Sequence, residues 1–161
     1  MNYLGLDPTK LSKTTDKLNQ LLSSYHIYYQ NLRNFHWNVT GENFFELHAQ
    51  FEALYNDARL KIDEVAERIL TLRHRPISQF SDYLNSSEVQ EAGEINDDIE
   101  MVKIILDNHR ILISQIRDVI KSADDLGDDG TLDMMGTFLE GLEKKSWMLD
   151  AFVSRKGVLQ N

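Results

Sequence analysis

Phe35 to Arg68 reads FHWNVTGENFFELHAQFEALYNDARLKIDEVAER, and its rhythm decides the fold. Apolar residues return at Phe44, Leu47, Phe51, Leu54, Ala58, Ile62, Val65 and, just beyond, Ile69, in steps of three or four. That spacing marks one buried face of a long helix. Beside the stripe lie His48, Glu52, Asp63 and Glu67. A helix turns about 100° per residue, so Glu52 and Asp63 differ by only about 20° around the axis. One imidazole and three carboxylates therefore share one side. Their heights conflict: His48 and Asp63 are roughly 22 Å apart along the axis, too far for one ion to touch both. An antiparallel meeting of this helix with its own copy would remove the conflict. Positions 48 and 67, and likewise 52 and 63, are equidistant from a point between residues 57 and 58. About a two-fold axis there, His48 of one chain lies level with Glu67 of the other, and Glu52 with Asp63. An isologous contact has this reciprocity by construction.

Working outward, Asp7-Pro8 reads as an N-cap followed by proline at the first helical position. The helix it opens carries Leu11, Leu18, Leu22, Tyr25, Tyr29, Leu32 and His36, and breaks at Val39-Thr40-Gly41. Asn43 is placed to cap the second helix, which runs to about Leu72 before Pro76 stops it. Residues 77–93 are long for a connection and hold a possible short helix at Ser78–Leu84. A third long helix is expected from near Ile95, on the stripe Ile99, Val102, Leu106, His109, Ile113, Ile116 and Ile120. SADDLGDDGT (122–131) reads as an acidic, glycine-punctuated loop. A fourth helix is expected from near Thr131, through Met135, Phe138, Leu142 and Leu149, with a short tail after Lys156. Four long amphipathic helices, no strand pattern and one long middle connection predict an all-α four-helix bundle, one domain over 1–161.

Composition narrows the function. The 161 residues are 42% hydrophobic and 27% charged, an ordinary globular balance, and they include no cysteine. Disulfides and thiolate metal sites are thereby excluded. No run of 18 apolar residues offers a membrane span. No basic segment followed by an apolar one opens the chain, so a cytoplasmic protein is expected. The net charge of −9 argues against binding nucleic acid through a general positive field and suits cations better.

A histidine on an apolar stripe is most often a core residue, and this holds for His36 and His48 taken singly. With carboxylates on the neighbouring helix, both become candidate ligands for a first-row metal. The alternative is a solvated helix edge laced with ion pairs to the interleaved Arg59, Lys61 and Arg68. Ferritin-type di-iron bundles place Glu-x-x-His on core-facing helices. Here Ser23, Arg33, Phe45, Thr71 and Leu106 stand three residues before the five histidines, which argues against a di-iron centre within one chain.

His36-Trp37-Asn38 leading to Gly41, then Asn43-Phe44-Phe45-x-Leu47-His48 and Asp63-Glu64-x-Ala66-Glu67-Arg68, resemble the Dps family, the DNA-binding proteins from starved cells. Gly127-Asp128-Asp129-Gly130-Thr131-x-Asp133 and Glu143-Lys144-x-x-Trp147-Met148 extend the likeness over nearly the whole chain. The resemblance implies a ferritin-like bundle with a short extra helix in its middle connection, assembled into a hollow twelve-subunit shell. It implies ferroxidase sites at two-fold interfaces, with His36, His48 and Glu52 from one subunit and Asp63 and Glu67 from the other. The family usually carries aspartate where Glu52 stands, a departure that lengthens that arm. The implied reaction oxidises Fe(II) to Fe(III), preferentially with hydrogen peroxide, and deposits ferric mineral inside. Trp37 is expected to pack in the core or, beside the site, to take up stray oxidising equivalents; Trp147 is expected to pack on the fourth helix.

Asp128, Asp129 and Asp133, with Asp124 more weakly, are candidates to line an acidic pore; the alternative is a solvated loop with an aspartate cap. His26, His74 and His109 lack matching partners and read as structural or surface residues. Direct DNA binding is not expected, because the first eleven residues hold one lysine and the tail GVLQN holds none. Two other readings stay open: a nucleoid-compacting shell with little iron chemistry, and a metal-free helical interaction module.

Overall fold

The first helix, α1 (Pro8–Asn38), begins where Asp7 accepts hydrogen bonds from the Thr9 amide at 2.9 Å and the Thr9 hydroxyl at 2.7 Å. Pro8 adds its fixed φ where no amide proton is needed. In this computed structural model, which describes residues 2–154, four more helices follow: α2 (Phe44–Thr71), α3 (Phe80–Ser86), α4 (Asp98–Leu126) and α5 (Asp129–Val153). The described residues contain no strand. No helix among them is long and apolar enough to cross a membrane. Arg155, Lys156 and the tail Gly157–Asn161 lie outside the described residues.

Side-chain pairs fix the helix directions. Thr14 meets Ser122 at 2.8 Å, Tyr28 meets His109 at 2.8 Å, and Asn31 donates to Asn108 at 3.0 Å, so α1 and α4 run antiparallel. The tight turn at Val39–Asn43 makes α2 antiparallel to α1 as well. α2 and α4 are then parallel, and residues 72–97 must travel the bundle's length between them. α1 holds this crossover by its backbone. Asn19 accepts from the Ile77 amide, Asn31 bonds both Gln90 and Ala92, and Asn34 donates to the Gly93 carbonyl. α3 rides on α1, where Tyr83 stacks on His26 with centroids 3.8 Å apart.

The stripe read from α2 points inward: Leu47, Phe51, Leu54, Ala58, Val65 and Ile69 are buried. They pack with Leu18, Leu32 and Phe35 of α1, with Val102, Ile105, Leu112 and Ile116 of α4, and with Met135 and Phe138 of α5. Burial of each such side chain is worth about 1.5–3 kcal/mol.

Several local expectations are corrected. α4 starts at Asp98, where Asp97 caps it by accepting from the Glu100 amide at 2.7 Å, and not near Ile95. It continues through Ser122–Leu126, because Ser122 bonds Thr14 of α1 and Ala123 is buried, and it closes at Gly127 with φ +74°. The acidic loop shrinks to that turn, and α5 opens at Asp129, two residues before Thr131. Asn43 sits at the head of α2 without capping it; its amide donates to Asp98 at 2.8 Å and ties two helix starts together. Trp37 is 57% exposed, with the Arg33 guanidinium 4.8 Å over its ring, and Trp147 is 66% exposed. Neither indole belongs to the core of one chain, because both face outward from their helices.

Candidate metal centre

His36 ends α1 and His48 opens α2, and the turn between these helices brings the two imidazoles face to face. Their centroids are 3.8 Å apart and their planes 17° from parallel. Each ring bonds the other residue's backbone: His36 Nδ1 to the His48 carbonyl and His48 Nδ1 to the His36 carbonyl, both at 2.7 Å. A carbonyl only accepts, so each Nδ1 carries the proton. The neutral tautomer compatible with these bonds keeps its lone pair on Nε2, the form a metal ligand requires. The bond to His36 also satisfies one of the carbonyls that the end of α1 leaves without a helical partner. Phe44 stacks on His48 at 5.0 Å and 23°, and Tyr55 and His36 meet edge-to-face at 5.2 Å and 84°. His36 is buried and His48 half-buried.

The carboxylates are distributed differently. Glu52, Asp63 and Glu67 are exposed on α2. Among the described residues none of them takes part in an ion pair. Lys61 turns instead to Asp57 and Glu64, and Arg68 to Asp128. The ion-pair-laced edge is therefore absent at these three positions. Nor do three His, Asp or Glu side chains converge into a metal-holding group within the described residues of one chain. One chain offers a prepared imidazole pair and, further along the same helix, carboxylates without partners.

The remaining histidines have other work. His109 is buried, with Nδ1 bonded to Ser146 Oγ and Nε2 to Tyr28 Oη, both at 2.8 Å. Ser146 donates its own proton to the Leu142 carbonyl, so His109 donates through Nδ1 and accepts through Nε2. Burial, helped by nearby Lys145, pushes its pKa down to about 3. His26, stacked on Tyr83, is lowered to about 4 by burial. His74 bonds the Leu72 carbonyl where α2 ends.

Asp128 departs from the pore expectation. It is 3% exposed, caps α5 through the Thr131 amide and hydroxyl, and accepts from Arg68 Nη2 at 2.6 Å. Three donors occupy its oxygens, so it anchors the α2–α5 junction. Asp124, Asp129 and Asp133 are exposed beside it.

The model of the ferritin-like domain family matches residues 15–156. A DNA protection during starvation protein of Porphyromonas gingivalis is 41% identical over 96% of this chain and 98% of its own. The chain belongs to the Dps branch of the ferritin-like family. A Dps protein of Vibrio cholerae O1, described as a member of a superfamily of ferritin-like diiron-carboxylate proteins, superposes with TM-score 0.93 at 43% identity. It covers 96% of this chain and 97% of its own. Dps from Staphylococcus aureus gives 0.87 at 34% identity, covering 90% and 97%.

Sequence reasoning picked out both histidines of this Dps chain but not the rings that flank them. Phe44 read as one more stripe residue, and Tyr55 was not singled out. The available signal was their spacing of four before and seven after His48, which puts all three on one side of α2.

Proposed function

We propose that two copies of this chain meet along α2 about a two-fold axis near residues 57 and 58, forming two identical iron-oxidising sites. His36, His48 and Glu52 come from one subunit, and Asp63 and Glu67 from the other. The observation that carries this reading is the imidazole pair: both Nδ1 atoms donate to carbonyls, and neither Nε2 has a hydrogen-bond partner among the described residues. One chain, though it brings Glu52 within a turn of His48, gathers no complete metal-holding group among those residues. Leu60, 53% exposed just beyond the proposed axis, is an apolar residue that such a contact would cover.

Ferrous iron is the substrate. Neutral imidazole suits Fe(II), and carboxylates compensate the rising charge of Fe(III). Two ferrous ions pass one electron each to one peroxide: 2 Fe(II) + H2O2 + 2 H+ gives 2 Fe(III) + 2 H2O. Pairing the electrons avoids the one-electron step that releases hydroxyl radical. In this reading twelve subunits form a hollow shell in the cytoplasm, ferric mineral collects inside it, and the cell is protected from oxidative stress. Asp129 and Asp133, with Asp124, line the acidic entries; Asp128 holds the loop that presents them.

Peroxide-dependent ferrous oxidation and shell mass, measured together, test the proposal. The His36→Ala/His48→Ala variant should assemble as the parent does and lose oxidation by about 100-fold or more, beyond the range typical of losing a single supporting partner. Oxidation at the parental rate would refute the site. A second reading, a DNA-compacting shell, is favoured by the names of the relatives and opposed by the net charge of −9. Retarded DNA at low salt and neutral pH would establish it.

A further inference from the structure

We propose that Phe44 and Tyr55 are positioning residues that clamp the His36–His48 pair and aim its two free Nε2 atoms. This rests on reading that pair as the iron-binding half-site. The four rings form one ordered series in the seam between α1 and α2. Phe44 lies on His48 at 5.0 Å, His48 on His36 at 3.8 Å, and Tyr55 and His36 meet edge-to-face at 5.2 Å. Tyr55 is itself backed by Tyr29 of α1, with centroids 6.0 Å apart and planes at 83°.

The crossed hydrogen bonds alone leave freedom. A bond at Nδ1 holds one corner of an imidazole, and the ring can still pivot about that corner. Nε2, on the opposite side, sweeps the widest arc. Each imidazole blocks its neighbour on one face only. Phe44 stacks on His48, and Tyr55 packs edge-to-face with His36. Both imidazoles are thus confined between a ring and a hydrogen bond before any cation arrives. Ligand groups must be held within about half an ångström to keep a productive geometry. The clamp also supplies an apolar wall on each flank, leaving Nε2 as the polar atom offered.

Cobalt(II) chloride added to the assembled protein provides a probe that peroxide chemistry does not confuse, and its visible absorption reports coordination geometry. Phe44→Leu and Tyr55→Leu should each weaken Co(II) binding about tenfold and shift or broaden its visible bands. Tyr55→Phe keeps the ring edge and should bind within about twofold of the parent, with the parental spectrum. Leu112→Ala, in the buried core on α4, should lower the unfolding midpoint without changing affinity or spectrum, separating aim from general stability. Assembled leucine variants with parental affinity and spectrum would overturn the clamp. So would a tenfold loss in Tyr55→Phe, which decides the matter even where a leucine variant fails to assemble. Parental protein whose Co(II) binding is unaffected by His36→Ala/His48→Ala would instead remove the half-site itself, and the clamp with it.

Discussion

His109 and the His36–His48 pair are all held by hydrogen bonds at Nδ1, yet of the two only the pair leaves Nε2 without a partner among the described residues. At His109 both ring nitrogens are spoken for, by Ser146 and by Tyr28, and burial keeps the ring neutral far below the usual range. At the pair, backbone carbonyls take the Nδ1 protons and Nε2 is left over. The carboxylates divide in the same way. Asp128 accepts from three donors in a buried junction, whereas Asp63 and Glu67 stand exposed, with no ion pair among the described residues. Residue type and helix position do not separate a ligand from a strut. In the proposed reading, lone pairs left over on two facing rings do: His74 also bonds a carbonyl through Nδ1, but no second imidazole faces it among the described residues.

Asp128→Ala against Asp63→Ala breaks this comparison most sharply. Losing Asp128 removes the charge partner of the Arg68 guanidinium, itself 19% exposed and left with Thr131 Oγ1, and uncaps α5. We expect a loss of about 3 kcal/mol in stability, read by denaturant unfolding at fixed protein concentration. Asp63→Ala should change stability by no more than about 0.5 kcal/mol while weakening Co(II) binding to the assembled protein about tenfold. Equal stability losses at the two positions would remove the distinction.

His109 makes the next test, through pH. Its folded pKa of about 3 lies below the ordinary value of 6.5, so the unfolded chain binds the proton first as pH falls. Stability from this group is fully present above pH 6.5 and is lost progressively towards pH 3. The loss is about 2 kcal/mol by pH 5. His26, lowered to about 4, acts in the same direction. His109→Gln should flatten the dependence of the unfolding midpoint between pH 6.5 and 4 without altering metal affinity at neutral pH. A parental slope in that variant would show that His109 is not the group being titrated.

The parts of this fold legible in the sequence are those with local causes. α2 announces itself because its buried residues recur every three or four positions, and α1 because Asp7 and Pro8 dictate its start. The end of α4 was illegible for the opposite reason. Asp124, Asp125 and Gly127 have the chemistry of a loop, and what makes that stretch helical is Ser122 meeting Thr14 across a sequence separation of 108. Asn43 likewise looked like a cap, but Asp98, brought close only by the fold, takes its amide. In the candidate site, the histidines and free carboxylates could be named from spacing and family likeness. The crossed bonds to carbonyls could not, since backbone acceptors carry no residue letter. The aspartate cap at Asp128 was legible as an alternative, but its bond from Arg68, sixty residues away, was not.

The smallest test concerns the turn that delivers Asp128 to Arg68. Gly127 closes α4 in the left-handed region, and the Asp128 amide then bonds the Ala123 carbonyl at 2.9 Å, which sets where α5 begins. A Cβ at Gly127 would meet nothing within 4 Å, so crowding is not at issue and only the backbone conformation resists substitution. Gly127→Ala should therefore cost about 1 kcal/mol and leave Co(II) affinity as it was. The strut side of the comparison would then weaken by a measured amount while the ligand side stays untouched. A change in metal binding from so distant a turn would mean that the α2–α5 junction and the imidazole pair are coupled, and that the two kinds of residue do not act independently.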